Sequence, residues 1–249
     1  MAARSFFMES SCFSPEVEMD PQTLPPDARV VYEKIKTQYQ VHFEPLTVQD
    51  HRLNILRMSD LEQILDGKNP LKDVAAFPFW VKIWEASLVL ADLLAGLPHK
   101  EQTTLLELGA GLGVPGLAAA KAGATVTLSD YEEHILDFQR VNAAASAVDD
   151  VSFILLDWKN PPEDLPQFDV LAGAEILFRE EFFQPLLQVM RRALKPGGVV
   201  YLAHDVRRQS LHPFLQMAEK DYVISVIKKR LKSLEEDKTI ILTRLRPRS

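Results

Sequence analysis

The sequence is poor in cysteine and in long apolar runs, and each shortage excludes a class of protein. Cys12 is the only cysteine, so no intrachain disulfide can form, and a reducing compartment, the cytoplasm, is expected. No run of about 18 apolar residues is present, so the sequence predicts no transmembrane helix and no membrane partner. The N-terminal segment also lacks a continuous apolar core and carries early acidic residues, which argues against a secretory signal.

Basic residues are outnumbered by acidic ones. The chain has 28 Lys and Arg against 35 Asp and Glu, and its net charge of −7 disfavours binding to a nucleic-acid backbone. The six histidines include no pair at ligand spacing, and the cysteine is remote from them, so no metal site is predicted. A basic cluster near the C-terminus predicts either a charged, solubilising sheet edge or a docking face for an acidic protein: Lys228, Lys229, Arg230, Lys232, Arg244, Arg246 and Arg248.

Residues 1–76 differ in pattern from the rest and predict an N-terminal arm followed by a small α/β cap. Residues 1 to about 27 contain four prolines and no steady periodicity, which is typical of a loose arm. A short helix is expected from Ala28 to Gln40, followed by a hairpin of two strands over 41–46 and 51–58. Ser59 as N-cap and Gly67 as the stop predict a second short helix.

Strands and helices alternate through the rest of the chain. A strong 3.6-residue pattern predicts a helix that includes Trp84 and leads into the first strand of this region. The alternation that follows indicates βαβ units and a parallel sheet covered on both faces. Two last strands predict a terminal hairpin. The predicted strands cover 103–109, 124–130, 151–157, 168–175, 198–205, 221–229 and 239–246, and the predicted helices cover 113–123, 134–145 and 180–195.

The stretch LLELGAGLGVPGLAAAKAGA, at 105–124, has four of the ten glycines of the chain in the eight residues 109–116. Gly111-x-Gly113-x-x-Gly116 matches the dinucleotide fingerprint. Gly109-x-Gly111-x-Gly113, preceded by Glu107, matches a loop that binds the amino-acid end of S-adenosylmethionine. In either case the missing Cβ atoms let backbone N–H groups approach a ligand closely. Asp130 would accept ribose hydroxyls in both classes, so these residues alone leave the two cofactors open.

Downstream residues favour S-adenosylmethionine. About fifty residues follow Gly198, too few for the catalytic domain that dinucleotide folds usually add. LKPGGVVYLA, from Leu194 to Ala203, and the terminal hairpin resemble parts of class I methyltransferases, in which a reversed strand inserts into the sheet. The resemblance implies an α/β fold in residues 77–249: a Rossmann-like, doubly wound seven-strand sheet, mainly parallel with a C-terminal antiparallel hairpin.

Several motifs together narrow the resemblance. WVKIWEASLVLADLL precedes the first strand, and ELGAGLG, SDY, LLDW and GAEILF follow at strand ends. This set, from about Phe77 to Leu202, resembles the seven-strand lysine methyltransferases that modify non-histone proteins, also called methyltransferase-like proteins. It implies S-adenosylmethionine as cofactor and a lysine side chain of a protein as acceptor. A small-molecule N- or O-methyltransferase and a non-catalytic cofactor-binding protein stay open as alternatives.

The resemblance also assigns roles to cofactor-binding residues. Trp84 would pack beside the cofactor, Asp130 would hold its ribose, and Ala174 would lie beside the transferred methyl group. Trp158 would lie against the adenine, whose amino group Asp157 would suit. The complete predicted set is Trp84, Glu107, Gly109, Ala110, Gly111, Gly113, Asp130, Tyr131, Asp157, Trp158 and Ala174.

Glu175 and Phe178 are the predicted catalytic residues. They form a D/E-x-x-Y/F motif, with Glu and Phe in place of the commoner Asp and Tyr. A lysine ammonium has no free lone pair, so the carboxylate is expected to orient the neutral amine and the ring to pack against the lysine stem. Residues 1–76 are expected to cap this site and help select the acceptor, and His204, at a predicted strand end, is expected to be solvated.

Overall fold

The computed structural model describes residues 19–59, 78–99, 103–231 and 237–248. Cys12, Lys232 and the helix predicted after Ser59 lie outside these residues. In chain order the elements are α1 (Pro26–Lys36), β1 (Val41–Val48), β2 (His51–Met58), α2 (Glu85–Ala95), β3 (Thr104–Glu107), α3 (Val114–Lys121), β4 (Thr125–Asp130), α4 (Glu133–Ala145), β5 (Val151–Leu155), β6 (Phe168–Ala174), α5 (Phe183–Ala193), β7 (Leu194–Asp205), α6 (Leu211–Ala218), β8 (Tyr222–Leu231) and β9 (Lys238–Pro247).

Seven of the strands form one sheet in the order β5-β4-β3-β6-β7-β9-β8. Strands β3 to β7 pair in parallel, and β9 runs antiparallel to both β7 and β8. The central strands are short apolar runs because helices cover both faces of a parallel sheet, and β3, β4 and β6 are accordingly buried along most of their length. The predicted doubly wound, mainly parallel seven-strand fold is confirmed.

The strand order creates the place where a ligand can bind. From β3 the chain moves outward through β4 to β5, and it then returns to β6 on the other side of β3. Ligands of open α/β sheets bind beyond the carboxyl ends of the strands at such a switch point. The glycine loop follows β3, Asp130 ends β4, and Glu175 follows β6, so all three lie at this edge.

Several element boundaries differ from the prediction. Helix α1 begins at Pro26, because proline suits the first turn of a helix, and α2 begins after Trp84. A short 3-10 turn at Phe79–Val81 and an extended Lys82 precede α2, so Trp84 occupies the N-cap position and does not lie on the helix face. Helix α6 was not predicted; it has eight residues, and turn residues surround it.

The described part of the N-terminal region packs behind the glycine loop. Helix α1 and strand β2 contact α4, and their buried side chains belong to the same core cluster as β3 and β4. The Asn142 amide on α4 donates to the Leu112 carbonyl over 2.9 Å and accepts from the Leu56 N–H over 2.7 Å. None of residues 19–59 is among those that line the cavity described below, and this part braces the glycine loop. The capping role expected of residues 1–76 stays a prediction.

Candidate active site

A cavity of about 460 Å³ opens at the carboxyl edge of β3, β4 and β6. The structure brings every sequence-predicted site residue to its wall, and the contacts of each with a cofactor or acceptor stay predictions. These residues are Trp84, Glu107, Gly109, Ala110, Gly111, Gly113, Asp130, Tyr131, Asp157, Trp158, Ala174, Glu175 and Phe178.

The glycine loop needs its glycines for two different reasons. Gly109, Gly111 and Gly113 have φ angles of 58°, 53° and 79°, in the left-handed region that glycine adopts without strain. Gly116 has an ordinary backbone, but a Cβ there would lie 2.3 Å from the Leu128 Cδ2 atom. Both registers seen in the sequence are therefore used: Gly109-x-Gly111-x-Gly113 shapes the loop, and Gly116 of the other register lets α3 pack against β4.

Glu107 lies under this loop rather than in open solvent. Its side chain is 1% exposed, and its carboxylate accepts the Gly116 backbone N–H over 2.7 Å. Burial raises the pKa of Glu107 to about 8, and the nearby Asp130 charge adds to the shift. The residue thus ties β3 to the first turn of α3.

Asp130 holds the loop from the neighbouring strand. Its two carboxylate oxygens accept the backbone N–H groups of Gly111 over 2.8 Å and Tyr131 over 2.9 Å. Burial raises its pKa to about 6 against the lowering effect of these bonds. Each oxygen keeps a further lone pair at the cavity wall, so the side chain fits the diol of a ribose.

The loop after β5 forms the opposite wall. The exposed Asp157 carboxylate accepts the Lys159 backbone N–H over 2.9 Å and the Asn160 Nδ2 group over 2.8 Å, and these bonds lower its pKa. Trp158 is half-buried, and its ring meets that of Phe182 edge-on at 6.0 Å. This wall offers a flat aromatic surface beside a carboxylate, which fits an adenine ring and its amino group.

Aromatic rings line the part of the cavity near Glu175. The rings of Phe79 and Phe178 stack at 5.4 Å, and Phe79 lies 5.8 Å from Trp84, whose indole N–H donates to the Phe79 carbonyl over 2.8 Å. Phe182 lies 5.9 Å from Phe178. Phe79 and Phe182 were not predicted as site residues, although the dense aromatic run FPFW before α2 indicates the first.

Trp80 was also missed, and it supports the glycine loop. Its Cα atom lies 3.4 Å from the point where a Cβ on Gly111 would stand. Its ring meets His134 and Phe138 of α4 edge-on, each at 5.0 Å. The segment before α2 therefore joins the aromatic wall to the loop.

Glu175 is not a free carboxylate. It has a φ of 55°, and the whole residue is 6% exposed. One of its oxygens accepts the Asp205 backbone N–H over 2.5 Å, and the other accepts Nε and Nη2 of Arg208 over 3.0 and 2.5 Å. Arg208 was not predicted as a site residue, because nothing in the sequence marks which of the arginines after β7 faces β6.

The prediction that His204 is solvated is wrong. Its ring is 0% exposed, and neither ring nitrogen has a hydrogen-bond partner. Burial and then the charge of Arg208 lower its pKa to about 3, so the ring is neutral at physiological pH. His204 is not among the residues that line the cavity.

No metal site or membrane helix is seen in the described parts of the chain. Across residues 19–59, 78–99, 103–231 and 237–248, no three His, Cys, Asp or Glu side chains are grouped to hold a metal ion. None of the helices in these same ranges is long and apolar enough to cross a membrane.

Known proteins are similar to this chain in sequence and in fold. Residues 74–221 match a family described as lysine methyltransferase. Protein N-lysine methyltransferase METTL21A of Xenopus tropicalis is 34% identical over 149 residues, which cover 57% of this chain and 68% of that protein. Histone-arginine methyltransferase METTL23 of Mus musculus is 36% identical over 114 residues, which cover 42% of this chain and 44% of that protein.

Solved structures agree at the level of the fold. A SAM-dependent methyltransferase from Agrobacterium tumefaciens superposes with a TM-score of 0.58 at 18% identity, covering 83% of this chain and 70% of that chain. N-methyltransferase NodS from Bradyrhizobium japonicum, solved with S-adenosylhomocysteine, gives 0.53 at 20% identity, covering 76% of this chain and 97% of that chain. The chain thus belongs to the lysine methyltransferase family and is an S-adenosylmethionine-dependent methyltransferase.

Proposed function

We propose that the protein transfers a methyl group from S-adenosylmethionine to the ε-amine of a lysine side chain in another protein. The observation that carries this proposal is the position of the aromatic wall beside Glu175. Phe79, Trp84 and Phe178 line the same cavity as Glu175 and offer apolar faces to a four-carbon stem, and we assign the end of the stem to the Glu175 side. An amine placed there is close to Ala174 and the glycine loop, on the side where the cofactor is expected.

The relatives support a protein acceptor but differ in its residue type. METTL21A is named a protein N-lysine methyltransferase, and METTL23 is named a histone-arginine methyltransferase. An acceptor arginine is best held by a carboxylate with both oxygens available to its guanidinium. In this chain Arg208 and the Asp205 N–H already engage both oxygens of Glu175, which favours lysine over arginine.

The positions of the cavity residues suggest which part of the cofactor each one binds. We assign the glycine loop and Asp130 to the methionine and ribose parts of the cofactor, and Trp158 with Asp157 to its adenine. When bound, the cofactor supplies a methyl group on a positively charged sulfur. The protein aligns the amine with that methyl group and excludes competing water, which are contributions of proximity and orientation. The cytoplasm stays the predicted location.

Labelling of a cell extract tests the proposal. The purified protein is incubated with radiolabelled S-adenosylmethionine and extract, and labelled protein bands are hydrolysed to amino acids. Label in methyl-lysine is the expected result. Methyl-arginine would contradict the acceptor assignment, label confined to small molecules would indicate a small-molecule methyltransferase, and absence of label with intact cofactor binding would indicate a non-catalytic protein.

A further inference from the structure

The Glu175 carboxylate, which would meet the acceptor amine, already has its charge balanced by Arg208 in an ion pair. Both Arg208 nitrogens donate to one Glu175 oxygen, and the pair is largely shielded from water, with side chains 15% and 5% exposed. A guanidinium keeps its charge at every physiological pH. The site therefore presents an oriented hydrogen-bond acceptor whose net charge, counted with Arg208, is zero.

We propose that Arg208 is a positioning residue that neutralises Glu175, so that the acceptor lysine enters the site as its neutral amine. This inference rests on the proposed function. A buried carboxylate without a partner would bind the ammonium form strongly and hold the acceptor in its unreactive state. With Arg208 beside it, the carboxylate can still accept an N–H of the amine, while the guanidinium charge disfavours an ammonium at the same place.

The reaction balances with the amine neutral. The ammonium first releases one proton to water at the mouth of the site. The nitrogen lone pair then forms the bond to the methyl carbon as the carbon–sulfur bond breaks, and that electron pair stays on sulfur, giving S-adenosylhomocysteine. The methylated nitrogen carries the positive charge that the sulfur has lost and keeps its two protons as a secondary ammonium, so one transfer releases one proton in all.

Other charged groups near the pair come from every element around it. On β7 and the loop after it, His204 is neutral and Asp205 is paired with Arg207. Across the sheet edge, Lys238 of β9 is paired with Glu85 of α2. The remaining charged groups lie along the cavity wall: Lys82, Asp157, Lys159 and Arg179, and on the donor side Glu107 and Asp130. Burial raises the pKa of Glu107 to about 8, so this group also titrates between pH 7 and pH 9. The wild type and each variant must therefore be compared at the same pH.

The test uses n-butylamine, which reproduces the end of a lysine side chain, and does not require turnover. Butylamine is titrated by calorimetry into protein saturated with S-adenosylhomocysteine, at pH 7 and pH 9. The wild-type protein is expected to bind more than about tenfold more tightly at pH 9, because the neutral fraction of an amine with a pKa near 10.5 rises about a hundredfold over that range. Arg208→Gln is expected to bind the ammonium at pH 7 and to lose most of this pH dependence.

Matched variants separate this role from a structural one. Arg207→Gln removes the neighbouring guanidinium, which pairs with Asp205, and should retain the wild-type pH dependence. Arg208→Lys keeps the charge and should do the same. Equal wild-type affinity at the two pH values, or no wild-type binding at pH 9, overturns the proposal even where Arg208→Gln does not fold. Methyl-arginine in the labelled extract would contradict the proposed lysine acceptor. The butylamine titration would still show whether the site prefers the neutral amine to the ammonium.

Discussion

The Glu107 carboxylate accepts the backbone N–H of Gly116 over 2.7 Å, and a Cβ on Gly116 would lie 2.7 Å from the same carboxylate oxygen. The contact joins the end of β3 to the first turn of α3 by a hydrogen bond between a side chain and the backbone, at a position that has no space for a Cβ atom. It makes the packing of the helix and the shape of the glycine loop a single structural unit.

Gly116→Ala tests that unit. The added methyl group overpacks the contact with Leu128 and Glu107, and we expect a loss of about 1–3 kcal/mol in the free energy of unfolding together with weaker S-adenosylhomocysteine binding. Gly197→Ala is the control, because Gly197 has a φ of 78° and open space around it. That variant should lose stability through backbone strain alone, so equal cofactor affinity in both variants would contradict the coupling. Urea unfolding and calorimetry measure the two quantities.

The buried acids predict a pH dependence of stability. Folding raises the pKa of Glu107 from 4.5 to about 8 and that of Asp130 from 3.8 to about 6. These two acids keep protons in the folded state that they lose in the unfolded state between about pH 4 and pH 8, so their contribution to the free energy of unfolding falls as pH rises through this window. His204, whose pKa folding lowers from 6.5 to about 3, opposes this fall below about pH 6.5. Urea unfolding of the cofactor-free protein at pH 5, 6.5 and 8 measures the decline. Glu107→Gln should flatten its upper part, and an unchanged slope would exclude Glu107 as the source.

Asp130→Ala tests the predicted ribose contact. The substitution removes hydrogen bonds to a charged group, each with a value of about 1.5–3 kcal/mol, so we expect S-adenosylhomocysteine affinity to fall tenfold or more. Circular dichroism and urea unfolding must show that the fold persists, because Asp130 also accepts the backbone N–H groups of Gly111 and Tyr131. Asp149→Ala, at an exposed position, is the control and should bind like the wild type. Unchanged affinity in Asp130→Ala would mean that another group holds the ribose.

Glu175→Gln tests the acceptor side. The amide keeps the size of the side chain but leaves Arg208 without a counter-ion beside the incoming amine. We expect turnover to fall strongly while cofactor affinity stays near the wild-type value, since an interaction made with the reacting acceptor affects turnover and not donor binding. Loss of both together would indicate a structural role at the end of β6. Turnover at the wild-type rate would remove Glu175 from the mechanism.

The sequence predicted the sheet and most of the cavity wall for one physical reason. In parallel βαβ units all strands end at the same edge, so residues that follow separate strands in sequence, such as Gly109, Asp130 and Glu175, converge in space. The other wall residues that the sequence predicted were indicated by the glycine pattern and by the aromatic residues Trp84 and Trp158.

The rest depends on packing between distant segments, which periodicity does not report. Arg208 reaches Glu175 from a loop 33 residues later in the chain. His204 shares a face of β7 with Leu202, and Leu202 packs in the same core cluster as Phe214 of the unpredicted helix α6. Because that helix was not predicted, His204 at the end of β7 was expected to be solvated, whereas in the fold it is buried.

Trp80, Trp84 and Trp158 are the three tryptophans of the chain, and all of them line the cavity. Light emitted by indole in this protein therefore originates from the walls of the site and from nowhere else. A ligand that enters changes the surroundings of at least one emitter directly, so the fluorescence of the unlabelled protein is a reporter of occupancy. Replacing each tryptophan in turn by phenylalanine would show which wall the ligand touches.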